Sequence, residues 1–255
     1  MIRFILLFIL SGLLVGCARY TTPGGPANLT KINEVSVAEA FKREPASPFP
    51  VRMAVIRLQD AGYQSYSGRG YGRGQYAVLT QRDIETEADF TAIASMPQVR
   101  AVAPLNRMVF PSELKDALQI RQAAAQMRAD VILMYTIGTN FWIDEAEIGP
   151  LGVITLGTLP NRKARVTSTA SAMIIDTRTG YVYGLAETTA EASDMASMWR
   201  QEKAIDSARK KAEREAFDKL IPEVQRTWAD IVNEYARKPA TTQSVQQALL
   251  KSTIK

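Results

Sequence analysis

The sequence predicts an α+β fold, in which helices pack on a mixed β-sheet and long C-terminal helices follow. Residues 131–137 form a continuous apolar run, which is typical of a strand that is buried on both faces. Residues 165–176 alternate in polarity, and a Thr-Arg-Thr-Gly turn at 177–180 leads into an antiparallel partner at 181–189. From 194 to 235 the apolar side chains recur at helical spacing. These three patterns together indicate the fold class.

The first residues of the chain have the three parts of a secretory signal. Arg3 is followed by an apolar run and then by small residues that end in Leu14-Val15-Gly16-Cys17. The apolar run is only about a dozen residues long, whereas a helix needs roughly 20 residues to cross a bilayer. The ending matches the lipobox of bacterial lipoproteins, in which the cysteine thiol accepts a diacylglycerol and the signal is removed. We therefore predict lipidation of Cys17, and an ordinary signal peptide with a chance cysteine is the alternative.

Composition divides the chain into five segments. They are a signal peptide (1–16), a lipid anchor with a flexible tether (17–50), an α/β periplasmic domain (51–193), a helical segment that packs on it (194–237) and a polar tail (238–255). The tether is predicted because its Thr, Pro, Gly, Asn and Ser residues bury too little apolar surface to fold alone. One helical turn is expected near 35–41. Ala18 follows the cysteine, a pattern that in enteric-type bacteria favours the outer membrane.

Local patterns predict each element of the domain in turn. The elements are a strand at 51–58, a short strand at 76–79, a helix from 83 that ends at Pro97, a strand at 99–110 interrupted at Pro104, a helix at 112–129 with Ser112 as its N-cap, the buried strand at 131–137, a loop or small hairpin at 141–163, and the hairpin of 165–176 with 181–189. In the C-terminal helical segment, Pro222 is expected to kink the helix or split it into two.

Composition also limits the chemistry. The chain contains no histidine and one cysteine, which excludes Ser-His-Asp and Cys-His catalysis, an internal disulfide and the commonest zinc ligand. We predict no catalytic residue, no metal site and no cofactor. The net charge of +5 indicates a solvated basic surface, with an acidic surface as a less favoured partner. The glycines at 68–74 fit no phosphate-binding loop, so they predict a mobile surface loop and no nucleic-acid partner.

Asp144, Glu145 and Glu147 form the one tight group of acids that the sequence places outside helices. Two carboxylates can hydrolyse a glycosidic bond, and carboxylates with backbone oxygens can bind calcium. No further motif residue supports either role, so a solvated loop is the favoured interpretation. The chain also has three tryptophans, which predict either contact surfaces or core positions. They are Trp142, Trp199 and Trp228.

Two segments resemble one group of bacterial envelope proteins. The first is Gln-Met-Arg-Ala-Asp followed by the apolar run, at 126–137, and the second is the Asp-x-x-Thr-Gly hairpin, at 172–183. Both are similar to the curli secretion lipoprotein, the lipoprotein activators of penicillin-binding proteins and the amino-terminal domain of TolB, over roughly residues 51–220. The resemblance implies an anticodon-binding-domain-like sandwich in the periplasm that works by protein contact and often assembles into rings.

These observations predict a non-enzymatic, lipid-anchored protein of the cell envelope. It faces the periplasm, sits in the outer membrane and acts as an assembly or accessory factor through an unidentified protein partner, with self-assembly as a further possibility. The first alternative is a ring-forming component of an outer-membrane secretion or export channel. The region at 141–163 has room for barely one inserted hairpin, which disfavours this alternative. The second alternative is an envelope hydrolase that uses the acids at 144–147.

Overall fold

Eight strands and four α-helices occur in the described part of the chain. The computed structural model describes residues 24–29, 36–65, 68–145, 162–196 and 201–236. The strands are β1 (Val51–Asp60), β2 (Arg73–Gly74), β3 (Tyr76–Leu79), β4 (Val99–Pro104), β5 (Glu113–Leu114), β6 (Val131–Glu145), β7 (Arg162–Asp176) and β8 (Val182–Ala196). The helices are α1 (Val37–Ala40), α2 (Glu87–Ala94), α3 (Ala117–Gln126) and α4 (Gln201–Ile231), and a π-helical turn (Val232–Ala236) continues α4.

One mixed sheet organises these elements. Its strand order is β3-β1-β6-β7-β8, and β4 also pairs with β1. β4 and β6 run parallel to β1, β3 runs antiparallel to β1, and the long strands β6, β7 and β8 form antiparallel pairs. β2 and β5 form a separate parallel pair. The mixed sheet and its helices confirm the predicted α+β class.

Helices pack on both faces of the sheet, although they do not cover all of it. One face packs on α2 and α4, and the other packs on α3 through Ile120, Ala123 and Ala124. Trp228 of α4 is fully buried, and its indole N–H donates to the carbonyl oxygen of Pro97 over 2.7 Å. The apolar run at 131–137 is buried along its whole length, as predicted, because helices lie over both faces of β6.

The helix predicted from residue 83 begins later, at Glu87. Thr86 and Asp89 form a capping box, in which the Thr86 amide donates to the Asp89 carboxylate over 2.7 Å. This pair defines the first helical turn, so Asp83 and Glu85 remain outside the helix. Both carboxylates instead take part in ion pairs described below.

The second predicted helix also begins later, and Ser112 is not its N-cap. Glu113 and Leu114 form β5, which pairs with β2, so the backbone is still extended at these residues. α3 begins after Asp116, whose carboxylate accepts a hydrogen bond from the Gln119 amide over 3.0 Å. The sequence pattern could not show this, because the strand partner lies some forty residues earlier in the chain.

The loop or small hairpin predicted at 141–163 is strand at both ends, which fits the hairpin and not the loop. β6 continues to Glu145 and β7 begins at Arg162, and the ladder between them is continuous up to the Glu145–Arg162 pair. The extension is stabilised by packing, because Phe141 and Val166 contact a small apolar cluster that includes Ala208 and Ala212 of α4. Residues 146–161 lie outside the described part of the chain.

The C-terminal segment begins later than predicted, and of the two effects expected of Pro222 the split of the helix does not occur. β8 extends to Ala196, three residues beyond the predicted boundary at 193. α4 is one helix that runs through Pro222 without being split. Its buried stripe continues on both sides of the proline, with Leu220 before it and Val224 after it, and this packing holds the helix together across the missing N–H. The predicted polar tail, 238–255, lies outside the described residues.

Part of the predicted tether contacts the sheet. The Gly25 carbonyl accepts from the Asp60 amide over 3.2 Å, and the Ala27 amide donates to the Thr136 hydroxyl over 2.8 Å. Ala27 is buried, and Pro26 forms a bridge with Gln59 of β1. The short segment 24–29 therefore fills the space where β1 and β6 separate, whereas a flexible tether was expected there. The predicted helical turn near 35–41 is present as α1.

The glycine-rich segment at 68–74 is also part of the fold. Tyr71 bridges Val78, and Gly74 lies in β2 beside β5. Gly74 has φ of +119°, and a Cβ atom at this position would lie 2.5 Å from the carbonyl oxygen of Leu114. This close backbone approach requires glycine. The prediction of a mobile surface loop is therefore wrong for the described residues of this segment.

Candidate functional site

The structure describes the backbones of two of the residues that the sequence singled out for chemistry. Cys17 and Glu147 lie outside the described residues. The backbones of Asp144 and Glu145 belong to β6 and pair with Lys163 and Arg162 of β7. Two of the three acids therefore lie in a β-ladder, whereas a loop was expected for all three.

A cavity lies where β3 and β4 end next to each other along the same edge of β1. β4 pairs with the first half of β1 and β3 with the second half, and both end beside Ile56. The chain then leaves the sheet after each of them, which opens a cavity of about 140 Å³. Crevices at the carboxyl ends of strands are common ligand sites. The walls are apolar at Val55, Phe90 and Leu105 and polar at Arg57, Glu85 and Tyr135.

A buried arginine forms the inner wall of the cavity. Arg57 is 3% exposed, and its guanidinium donates to Asp83 (3.1 Å), Glu85 (3.2 Å) and Glu213 (3.2 Å). The hydroxyl of Tyr135 also donates to Glu85, over 2.8 Å. Burial by itself lowers the pKa of Arg57, but the carboxylates of Glu85 and Glu213 outweigh it and raise the pKa. Arg57 therefore stays charged although it is buried.

A second buried arginine extends the network into α4. Arg209 is fully buried and donates to Glu213 (2.8 Å), Asp83 (3.1 Å) and Asp206 (3.0 Å). The Thr139 hydroxyl donates to Glu213 over 3.0 Å. Glu213 is therefore the acceptor that links both arginines. We call the two arginines and their four carboxylates the buried ionic network; they are Arg57, Asp83, Glu85, Asp206, Arg209 and Glu213.

The buried ionic network connects separate elements of the fold. Burial and the charge of Glu85 raise the pKa of Tyr135 well above its usual value, so this phenol stays protonated. Within the described residues, Arg57 Nε and Glu85 Oε2 have no hydrogen-bond partner. The remaining charges are paired, and the pairs connect β1 and α4 to the segment before α2. The network thus holds these elements in place.

The Asp-x-x-Thr-Gly turn closes a second polar cluster, at the opposite end of β1. Asp176 is fully buried and accepts five hydrogen bonds. Although burial opposes ionisation, these hydrogen bonds lower the pKa of Asp176. The donors are the backbone N–H groups of Ala46, Arg178 and Thr179 and the hydroxyls of Ser47 and Tyr183. The Asp-x-x-Thr-Gly motif is therefore a turn that also attaches the segment before β1 through Ala46 and Ser47.

One half of the sheet presents an exposed surface on the side opposite to α4. Trp142 is 49% exposed and Leu185 is 63% exposed, at two ends of this surface. Between them, the Thr169 and Thr189 hydroxyls are hydrogen-bonded over 2.9 Å and Ser171 donates to Glu187 over 2.7 Å. We call this surface the open sheet face. Its residues are Trp142, Arg165, Thr167, Thr169, Ser171, Leu185, Glu187, Thr189 and Glu191.

Sequence reasoning did not identify the residues of the buried ionic network. Arg57 interrupts the apolar run at 53–58 within the strand, and this unexpected charge was the available signal. Arg209 and Glu213 have the i,i+4 spacing of a helical ion pair, but this spacing is common on exposed helix faces. Of the three tryptophans, Trp228 is in the core and Trp142 is partly exposed, while Trp199 lies outside the described residues.

The described residues contain neither a membrane-spanning helix nor a cluster of metal ligands. No helix among them is both long enough and apolar enough to cross a bilayer. No three His, Cys, Asp or Glu side chains in this part of the chain are arranged to hold a metal ion.

Similarity to a solved structure is weak. No family model and no curated protein matches the sequence. A crystal structure at 2.40 Å of a protein from Caulobacter crescentus CB15, proposed to be a lipoprotein, is among the solved structures that match. The match covers 48% of this chain and 79% of that chain, with 14% sequence identity and a TM-score of 0.25. A similarity at this level carries no argument about fold or function.

Proposed function

We propose that the protein is a lipid-anchored lipoprotein of the bacterial cell envelope that acts without catalysis, as an assembly or accessory factor, through protein contacts. The sequence supports the anchor with a secretory signal that ends in a lipobox at Cys17. The structural observation that supports a contact function is the open sheet face. This face is exposed, spans three strands and carries a large apolar side chain near each end.

The packing of residues 24–29 makes the proposed anchor short. Cys17 and Gly24 are seven residues apart, and a fully extended chain of this length spans at most about 25 Å. Gly25 and Ala27 are hydrogen-bonded to the sheet beside Asp60 and Thr136. Lipidation at Cys17 would therefore hold this end of β1 close to the membrane surface, and the Asp176 turn would face away from it.

The chemistry of the polar sites favours contact over catalysis. The cavity beside Ile56 is lined by Arg57, Glu85 and Tyr135, and each of these side chains is bonded within the buried ionic network. The open sheet face, in contrast, has side chains that reach solvent and hydroxyl groups that can exchange hydrogen bonds with a partner. Aromatic side chains such as Trp142 are enriched in protein interfaces.

The first test of the proposal is the anchor. We expect Cys17→Ala to abolish labelling of the protein by radioactive palmitate and to stop signal removal, because the thiol that accepts the lipid is lost. A Ser11→Ala variant, changed upstream of the lipobox, should keep the label. Persistent labelling of Cys17→Ala would show that the lipid is attached elsewhere or that the lipobox interpretation is incorrect.

The same surface also fits the alternative of a ring-forming component of a secretion or export channel. In that case the open sheet face, or the outer edge of β8, would contact a second copy of the chain. Light scattering of the lipidated protein in mild detergent separates the two proposals. A discrete assembly of many copies favours the ring, and a monomer favours an accessory protein that binds another partner. The resemblance to the curli and TolB group bears on this choice only as a prediction from sequence.

A further inference from the structure

The cavity beside Ile56 connects the protein surface to the buried ionic network. Three of the side chains that line it are buried and polar, namely Arg57, Glu85 and Tyr135. Four others are exposed and polar, namely Thr80, Gln81, Arg82 and Asn106. The cavity shares no lining residue with the open sheet face, so a site here is independent of the contact function proposed above.

Two of the buried side chains each carry one polar atom without a partner. Oε1 of Glu85 accepts from Arg57 and from the Tyr135 hydroxyl, whereas Oε2 of the same carboxylate has no hydrogen-bond partner among the described residues. The Nη1 and Nη2 atoms of Arg57 donate to three carboxylates, but no described residue accepts from its Nε–H. Buried polar groups without partners destabilise a fold and are rare. The lining of the cavity therefore includes one unused acceptor and one unused donor.

The charges beside the cavity are already paired. Arg57 contacts three carboxylates of the buried ionic network. Arg82, at the surface, pairs with Glu87, and its guanidinium lies 4.3 Å from the centre of the Phe90 ring. An ionic ligand would add a charge that no group here balances, and a buried unbalanced charge is costly. A neutral ligand therefore fits the cavity better than an ion.

We propose that this cavity is a binding site for a neutral carboxamide group. The amide N–H donates to Oε2 of Glu85, and the amide carbonyl accepts from Nε–H of Arg57. A carboxamide carries its donor and its acceptor on two separate atoms, and both bonds involve a charged partner, which makes them stronger than bonds between neutral groups. The apolar part of the ligand packs against the apolar side chains of the lining, which include Val55, Phe90 and Leu105.

The size of the cavity limits the ligand to a compact group. Its volume is about 140 Å³, and a cavity of about 150 Å³ accommodates a molecule of the size of benzene. Propionamide is smaller than benzene and has the structure of a glutamine side chain. The two unpaired atoms are buried, so binding requires the Glu85 carboxylate to turn slightly toward the cavity, which the broad torsion about its last side-chain bond allows. A free small amide and an amide side chain of a protein partner share this chemistry.

The experiment is a titration of the full lipidated protein, in mild detergent, with propionamide, followed by saturation-transfer NMR of the propionamide protons. Methyl acetate is the matched ligand, because it is similar in size and has a carbonyl group but no N–H. We expect saturable binding of propionamide with a Kd in the millimolar range. Methyl acetate should bind about tenfold more weakly, because it offers no donor to the Glu85 carboxylate.

Glu85→Gln separates a ligand contact from a structural role. We expect the preference for propionamide over methyl acetate to fall to about one in this variant, because the carboxylate that accepts the N–H is lost. If Glu85 had only a structural role, the variant would weaken both ligands and leave their ratio unchanged, which would overturn the proposal. Glu113→Gln is the matched control, since Glu113 is exposed, pairs with Lys115 and does not line the cavity. It should keep the ratio of the parent.

Leu105→Phe tests the site without changing the buried ionic network. Leu105 lines the cavity, so the larger side chain should fill it and abolish propionamide binding, even if Glu85→Gln does not fold. Absence of saturable binding to the parent, equal affinity of the parent for the two ligands, or unchanged binding in Leu105→Phe would overturn the proposal. Competition by the peptide Gly-Gly-Gln-Gly-Gly, and not by penta-glycine, would identify a side chain of a protein partner as the source. Propionamide binding without this competition would identify a free small molecule.

Discussion

Glu213→Ala is expected to lower the free energy of unfolding by about 3–5 kcal/mol, which is the usual cost of removing one partner from a buried ion pair. Glu213 is fully buried and accepts hydrogen bonds from Arg57, Arg209 and Thr139. Without it, two buried arginines lose a shared counter-charge. Because domains of this size are stable by only about 5–15 kcal/mol, the variant should unfold at clearly lower urea concentration. Circular dichroism during a urea titration measures this difference.

Glu215→Ala is the matched control for this experiment. Glu215 lies two residues further along α4, its side chain is 44% exposed, and it pairs with Lys219 on the helix surface. An exposed pair of this kind contributes about 0–1 kcal/mol, so this variant should unfold close to the parent. If both variants unfold at the same urea concentration, the buried ionic network does not have the structural role that its geometry indicates.

Gln59→Leu is the second substitution with a large expected effect. Gln59 is fully buried where β1 and β6 separate, and its amide donates to the Ile137 carbonyl (2.7 Å) and accepts from the Ile137 amide (3.1 Å). The Thr136 hydroxyl donates to the same side chain over 2.7 Å. Leucine has a similar volume but leaves these groups unpaired, at about 1–3 kcal/mol each. We therefore expect a loss of about 3 kcal/mol or more in the urea titration.

Hydrogen exchange gives a second, local measurement for the same variant. The Ala27 amide donates to Thr136, which Gln59 orients, so this amide should exchange faster in Gln59→Leu than in the parent. Gln122→Leu, on the exposed surface of α3, is the control and should change the stability by less than about 0.5 kcal/mol. Unchanged protection at Ala27 together with parental stability would contradict the role assigned to Gln59.

Local patterns in the sequence predicted the elements that depend on local interactions. The apolar run at 131–137 indicated a strand buried on both faces, and the Thr-Gly turn after Asp176 indicated the hairpin of β7 with β8; both are present. Each of these features is determined by neighbouring residues, namely an uninterrupted apolar segment and a tight turn between two strands. The fold class followed from them.

The errors arose where distant residues decide the local structure. Ser112 did not cap a helix because β2, far earlier in the chain, pairs with the residues that follow it. The segment 24–29 has the composition of a tether, but a gap between β1 and β6 accommodates it. In the segment 141–163, predicted as a loop or small hairpin, strand continues at both ends because α4 covers Phe141 and Val166. These contacts join residues that are far apart in the chain, so no local pattern in a single sequence predicts them.

The candidate sites also differ in whether a local motif or a contact between distant residues forms them. The lipobox match at Cys17 is a continuous motif, so the sequence alone predicts it, and it remains a prediction. The buried ionic network joins Arg57 to Glu213 across more than 150 residues. Charged residues on strands and helices are more often exposed than buried, so their pairing is recognisable only after the fold has placed them together.

The most direct test of the proposed contact function is photo-crosslinking in living cells from the open sheet face. A photoreactive amino acid replaces Trp142 or Leu185, and Phe41, which is 88% exposed and lies just after α1, provides the control position. We expect both face positions, and not position 41, to give a discrete adduct with another envelope protein. An adduct of two copies of this chain would favour the ring-forming alternative. The absence of any adduct at both face positions would contradict the proposed function.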